Sequence, residues 1–385
     1  MQQQRGVNSH YGCCSQFVLV NPVCLNLEKA KHEAVSANYK QVSSPGSERF
    51  ATALMARITT HMRILFITST RVGDAILSTG LLDYLIGQHP GAKVTVACGG
   101  AAATMFEAVP GLERIIVLDK MAFSLHWFRL WALCFGRIWD AVVDLRNSPM
   151  YYVLPSKKRW RIGRAPRVEH RIKHLANILG LEEQPPVPKL WLSNDIRIRA
   201  NELIRKGTPV IAVGPTANWR AKTWRAENFV ELIKRLTGPK GIFPGWRVAI
   251  FGRDDERPSA LSLIDAVPED RRIDLVGHLD LLEAFACLKC CDFYVGNDSG
   301  LMHLAAASGI PTLGLFGPSP KELYAPWGEL CDVATTSIPY EEIFPEDFDH
   351  RGSDTLMDSL SVEIAEHAAR RLWDRAKMEP HRSRG

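Results

Sequence analysis

No uninterrupted apolar run in the 385 residues reaches the roughly 20 that a membrane-spanning helix needs, so no transmembrane helix is expected. Neither sign of charge is in large excess: 47 Lys and Arg against 42 Asp and Glu leave +5. That balance is too small for overall charge to argue for nucleic acid. Nine cysteines are present, but Cys287-x-x-Cys290-Cys291 has no partner pair at zinc-ribbon spacing. This group lies on a helical pattern of Leu281, Leu282, Phe285 and Leu288. Together with Cys13 and Cys14, these residues read as buried or free thiols in a reducing cytoplasm, and no metal is expected. No internal repeat or low-complexity tract stands out. Residues 17–27 are apolar, but they contain Asn21, Pro22 and Asn26, and no basic stretch precedes them as in a signal peptide.

What is present is ordinary globular composition, 46% hydrophobic and 23% charged, in a chain long enough for two domains. Residues 1–61 lack steady periodicity, and a strand then starts abruptly at Met62-Arg-Ile-Leu-Phe-Ile. Residues 1–61 are expected to be disordered or upstream of the true start, at Met62 or Met55; a real extension of unknown role is the alternative. From there strands and helices alternate. A strand at 63–68 leads through Ser69-Thr-Arg-Val-Gly-Asp74 into a helix with Leu77, Leu81 and Leu85 on one face. Strands follow at 94–97, 114–118 and 139–145. The fold class this implies is α/β, with parallel sheets and helices on both faces. Residues 62–185 form the first domain, 186–207 the linker region, 208–358 the second domain and 359–378 a closing helix. Residues 379–385 form a basic tail.

Residues 123–139 are rich in aromatics: Phe123, Trp127, Phe128, Trp131, Phe135 and Trp139. The reading adopted is a core helix, because such stripes usually pack inward. The competing reading is an interfacial surface that touches a membrane, helped by Arg129 and Arg137. The run from Lys157 to Lys173 is the most basic segment and follows Asp144-Leu-Arg146-Asn147 at a strand end. Guanidinium forks there suit an anionic acceptor. No nucleic-acid motif accompanies the run, and no nucleic-acid partner is expected. Arg253-Asp-Asp-Glu256 offers an acid for ribose or base hydrogen bonds, or is a solvated loop. Asp347-Phe-Asp349 resembles a metal-binding acid pair, but no strand precedes it and it is read as structural.

The most informative stretch is Asp292-Phe-Tyr-Val-Gly-Asn-Asp-Ser-Gly-Leu-Met-His-Leu-Ala-Ala-Ala-Ser-Gly-Ile-Pro. A buried strand over 293–295 runs into N-cap residue types at Asn297, Asp298 and Ser299. A helix follows that stops at Gly309, and a strand over 312–316 comes next. Such a turn lies at the carboxyl end of a parallel sheet, where ligands bind. Its free amides at Ser299, Gly300 and Leu301 would face an anion. An ordinary capped helix fits the same spacing.

This stretch, with Leu-Phe-Gly-Pro318 after it, resembles the nucleotide-sugar site of glycosyltransferase family 9, the ADP-heptose:lipopolysaccharide heptosyltransferases. Two further motifs fit in the same order. They are the Gly73-Asp74 pair after the first strand and the Lys222-x-Trp224 loop that follows a strand at 209–214. The resemblance spans residues 62–327, with a weaker tail to about Trp373. It implies two Rossmann-like domains facing across a cleft, the GT-B arrangement. It also implies an inverting transfer from an ADP-sugar to an acidic saccharide or glycolipid acceptor, without a metal or other cofactor. Asp74 alone would read as an acid complementing a helix dipole; the resemblance makes it the general base. Lys222, Thr216, Asp298, Ser299, Gly300, Leu301 and His303 would hold the donor, although His303 reads equally as a packed core residue. Arg71, Gly73 and Arg146 would meet the acceptor. The family often has proline after the Trp, where this chain has Arg225, which bears on the helix start. A nucleotide-sugar epimerase or hydrolase, or a non-catalytic binding protein, is the alternative. The expected location is cytoplasmic, with possible peripheral contact at the inner membrane.

Overall fold

Every strand of the fold is parallel to its neighbours, and the strands fall into two sheets. The computed structural model describes residues 61–164, 168–346, 348–349 and 352–378. The expectations for residues 1–60, for Asp347 and for residues 379–385 fall outside them. The first sheet contains β1 (Arg63–Ile67), β2 (Lys93–Cys98), β3 (Leu112–Val117), β4 (Trp139–Asp144) and β5 (Ser156–Arg161), in the order β3-β2-β1-β4-β5. Helices α1 (Val72–Gln88), α2 (Gly100–Ala103), α3 (Leu125–Cys134), α4 (Met150–Val153) and α5 (Arg171–Asn177) connect and follow these strands. Ile64, Phe66, Val94 and Val96 are wholly buried, as a sheet covered on both faces requires. The exposed Lys157, Lys158 and Arg159 of β5 put charge on an edge strand, which discourages pairing with another chain.

Helix α6 (Asn194–Leu203) precedes the second sheet. That sheet contains β6 (Val210–Gly214), β7 (Arg247–Ile250), β8 (Arg272–Asp274), β9 (Phe293–Asn297), β10 (Thr312–Phe316) and β11 (Cys331–Thr335), ordered β11-β10-β9-β6-β7-β8. Its helices are α7 (Ala226–Thr237), α8 (Arg257–Ala266), α9 (Leu281–Lys289), α10 (Gly300–Ser308), α11 (Lys321–Tyr324) and α12 (Val362–Met378). The amphipathic α12 buries Ala365, Ala369 and Leu372 in a core with Trp224, Phe229 and Phe293. A second core joins the two halves, running from Leu77 and Leu81 of α1 to Met302 and Leu304 of α10. The cysteines in and just after α9 lie in this core or at its margin: Cys287 and Cys291 are buried, and burial pushes the Cys287 thiol up to about 12.

The start of α10 meets the start of α1. A side chain at Gly300 would come within 3.0 Å of Val72 Cγ1, so the glycine lets the two helices approach without displacing that valine. The helix ends where the sequence indicates, with Gly309 at φ 84° as its left-handed cap.

The aromatic segment corrects the core-helix expectation in part: Trp139 is buried in β4 and Trp127 and Trp131 pack against that core, while the three phenylalanines do not. Helix α3 buries His126, Leu130 and Cys134, which follow one another every four residues. Phe128 and Phe135 are 65% and 64% exposed, and Phe123 before the helix is 98% exposed. Large apolar residues occur all around this helix, and the sheet offers only one surface to cover them.

Candidate active site

The loop after β6 is held at both ends by one side chain. Asn297, the last residue of β9, accepts from the Trp224 amide at 3.0 Å and donates to the Pro215 carbonyl at 2.9 Å. Trp224 is fully buried, with its indole N–H on the Leu360 carbonyl at 2.8 Å. Between these anchors the turn Arg220–Lys222 carries Lys222 toward the next residue of the β9 turn. Its Nζ lies 2.5 Å from Asp298 Oδ2. Asp298 is buried, so the ammonium is fixed by a charge-assisted bond rather than left to search solvent. Two segments 76 positions apart in the chain thus meet at one sheet edge.

Ser299 is the N-cap residue of α10, but its side chain makes no capping bond, and its buried Oγ has no hydrogen-bond partner. The positive end of the helix dipole therefore has no side-chain cap, and it lies next to the Asp298 that holds Lys222. His303, one turn along, is buried with Nδ1 unpartnered. Burial pushes its pKa down to about 4, against the pull of Asp298 and Asp74. At neutral pH it is an uncharged hydrogen-bonding group.

On the side of the first sheet, Asp74 sits in the first turn of α1, where a carboxylate complements the helix dipole. A methyl on neighbouring Gly73 would come within 3.1 Å of the His303 ring, so the two helix starts are in close contact. Arg171 Nε lies 3.6 Å from Asp74 Oδ1, and Arg171 Nη1 is 2.9 Å from His174 Nδ1. His170 caps α5 and reaches the Ala325 carbonyl at 2.9 Å, while its ring packs on Trp327 at 4.6 Å. Burial pushes the pKa of His170 below its ordinary value. The basic run drew notice as a whole. The separate parts of His170 and Arg171 were not legible, because their partners come from distant segments.

Arg71, at the N-cap of α1, is exposed. Arg146 follows β4, whose neighbour is β1, and its backbone amide donates to Asp144 Oδ1 at 2.9 Å. The Asp144 carboxylate is wholly buried, which pushes its pKa up despite three donated bonds from Arg146 and Ser148. The Arg146 guanidinium stacks 4.8 Å from the centre of the Trp127 ring, with Nη1 buried and unpartnered. Thr216 lies past the end of β6, and its hydroxyl donates to Glu256 Oε2 at 2.8 Å. Glu256 also accepts the Arg253 amide at 2.9 Å, which orders the acidic 253–256 turn beside the loop. Arg225, at the position where proline would fit, has φ −60° and forks onto Asp358 at 2.6 and 2.7 Å. That φ is one proline also adopts, so α7 starts at Ala226 without it. Among the described residues, no cluster of His, Cys, Asp or Glu could hold a metal ion.

Two parallel α/β sheets whose helices α1 and α10 meet at their N-termini are the GT-B arrangement. The chain belongs to glycosyltransferase family 9 (heptosyltransferase), whose model matches residues 144–342. It is 27% identical over 312 residues to lipooligosaccharide heptosyltransferase 2 of Haemophilus influenzae, covering 71% of this chain and 88% of the relative. It is 23% identical over 347 residues to lipopolysaccharide heptosyltransferase 2 of Salmonella typhimurium, covering 79% and 97%. Its fold is similar to the structure of E. coli ADP-heptose lps heptosyltransferase II, with TM-score 0.63 and 21% identity, covering 82% of this chain and all of that one.

Proposed function

We propose that this protein transfers a heptose from ADP-heptose to an acidic saccharide of the lipopolysaccharide core, by a single displacement with inversion. The observation that carries this reading is the facing pair of helix starts. Asp74 lies on α1, and the Lys222–Asp298 pair lies at the head of α10, with His303 against Gly73 between them. In this reading residues 62–185 hold the acceptor, residues 208–358 hold the donor, and the cleft between them is the reaction site.

The acceptor hydroxyl attacks the anomeric carbon as its proton passes to the Asp74 carboxylate. The bond from that carbon to the diphosphate breaks, and ADP leaves with its electron pair. Arg171 positions Asp74 for this step. Lys222 and the amides of Ser299, Gly300 and Leu301 meet the charge that grows on the leaving phosphate. Asp298 holds Lys222 in place, and neutral His303 adds a hydrogen bond. Thr216, through Glu256, shapes the wall on the ribose side. Arg146, with Arg71 and the Gly73 turn, takes the anionic acceptor. The acceptor is a glycolipid, so the enzyme works at the cytoplasmic face of the inner membrane.

The direct test is ADP release from ADP-heptose with and without a heptose-deficient core acceptor. Release that depends on acceptor, with a heptosylated product, is expected. Free heptose without acceptor would replace this reading with hydrolysis.

A second expectation concerns the donor phosphates. Lys222→Ala should weaken ADP binding by about tenfold or more, since a hydrogen bond to a charged group contributes roughly 1.5–3 kcal/mol. Adenosine, lacking phosphates, should bind both proteins almost equally. Titrating both ligands against both proteins distinguishes a lost phosphate contact from a distorted pocket. Unchanged ADP affinity would move the phosphates elsewhere.

A further inference from the structure

The face of α3 turned away from the sheet has no use in the reaction just described. We propose that this face, with the groove between α3 and α4, docks the enzyme on an anionic lipid bilayer. The proposal deepens the glycolipid reading above and rests on it.

The first observation is the turn that begins the face. Phe123 and Ser124 both have left-handed backbone, at φ 49° and 60°, a conformation that side chains other than glycine rarely adopt. The turn holds the Phe123 ring almost wholly in solvent, the opposite of what hydrophobic burial would select in a protein with no partner. Phe128 and Phe135 continue the exposed ring surface along and beyond the helix. Behind Phe128 lies an open apolar groove of about 380 Å³ between Trp127 and Trp131 on one side and Met150 and Val153 on the other.

The second observation is charge. Between Asp119 and Asp140 the sequence has no acidic residue, while Lys120, Arg129 and Arg137 fall in that interval. Arg137 lies 3.6 Å from Glu113, and Arg129 is exposed. The exposed Arg159 of edge strand β5 lies on the same side of the sheet, with its guanidinium on the Tyr151 and Leu154 carbonyls at 3.0 and 3.3 Å. Aromatic rings rimmed by cations match the interface of an anionic bilayer, where rings sit at headgroup depth and basic side chains meet phosphates. A second copy of this chain is a poorer fit, because a two-fold contact would set this basic surface against itself.

The third observation is position. Trp127, which lines the groove, also stacks on Arg146 at the carboxyl end of β4. A lipid-anchored acceptor would then have its saccharide at Arg146 while its lipid stays beside α3.

The test is flotation of the full-length protein with vesicles of about equal phosphatidylglycerol and phosphatidylcholine, against phosphatidylcholine alone. The expected result is binding to the anionic vesicles that falls as salt rises. Replacing Phe123, Phe128 and Phe135 together by serine should lower partition about tenfold or more. ADP affinity should stay unchanged, and the thermal midpoint should fall only slightly, since Phe123 is 98% exposed and Phe128 and Phe135 give up their packing on Trp131. Arg129→Gln with Arg159→Gln should remove most of the preference for phosphatidylglycerol. Equal flotation of wild type and the triple variant would overturn the proposal. So would an absence of vesicle binding, or a wild-type dimer in sedimentation that the triple variant converts to monomer. The vesicle experiment contains neither donor nor acceptor. Its failure leaves heptose transfer standing, and failed transfer leaves the vesicle result intact.

Discussion

Asp74→Asn is expected to lower turnover by about 10²–10⁴-fold, the usual range for a positioned proton transfer, while leaving donor affinity nearly unchanged. Asparagine keeps the size and polarity of the side chain but cannot accept the proton of an attacking hydroxyl. The substituted residue lies at the head of α1, on the first sheet, whereas Lys222, Asp298 and the start of α10 belong to the second. The effect should therefore appear in kcat, with ADP-heptose titrations by calorimetry giving matching dissociation constants for both proteins. Arg171, 3.6 Å from Asp74, loses its ionic partner in the variant. Arg171→Lys tests that second role: a positioning residue should lower kcat while leaving donor binding in place. Near-normal turnover in Asp74→Asn would remove this residue from the reaction.

The other large effect is on stability in acid. Burial keeps His303 neutral in the folded protein down to about pH 4, whereas the unfolded chain takes up the proton near 6.5. Above pH 6.5 both states hold the neutral ring, and His303 contributes no pH dependence. Between pH 6.5 and about 4 only the unfolded chain binds the proton, so stability falls as pH falls. At about 1.4 kcal/mol per pH unit the loss from this residue approaches roughly 3 kcal/mol. His303→Asn has no ring to titrate. Its urea midpoint should change less than that of the wild type between pH 7 and pH 4.5. Parallel midpoints for the two proteins over that interval would show that His303 is not the acid-sensitive group.

How much of this was legible in the sequence differs from element to element. The buried strands β1, β2 and β9 are continuous apolar runs bounded by glycine or polar turns, and each was visible as such. The helix from Gly300 was visible through its stop at Gly309. The edge strand β5 was not legible as a strand. Its Ser-Lys-Lys-Arg-Trp-Arg sequence is mostly charged, and only pairing with β4 holds it extended. β8 and β11 likewise lack a strong apolar run, and neighbouring strands supply their register. Residues 123–139 show the limit from the other side. An aromatic stripe indicates apolar surface, but does not say whether the fold has anything to cover it.

The sequence by itself determined the alternation of strands and helices, the parallel sheets that follow from it, and the turn chemistry at Gly73-Asp74 and at Asn297-Asp298-Ser299. These are local matters of periodicity, N-cap residue type and glycine position. Only the tertiary structure decided which groups act together. Asn297 clamps both ends of the 215–224 loop, and that clamp carries Lys222 onto Asp298. Arg171 reaches Asp74 because α5 packs near α1, and His303 meets Gly73 because Gly300 lets two helices approach. Each of these contacts joins residues tens to hundreds of positions apart. No local pattern records such a pairing, because its energy comes from side chains that meet only after both sheets have formed.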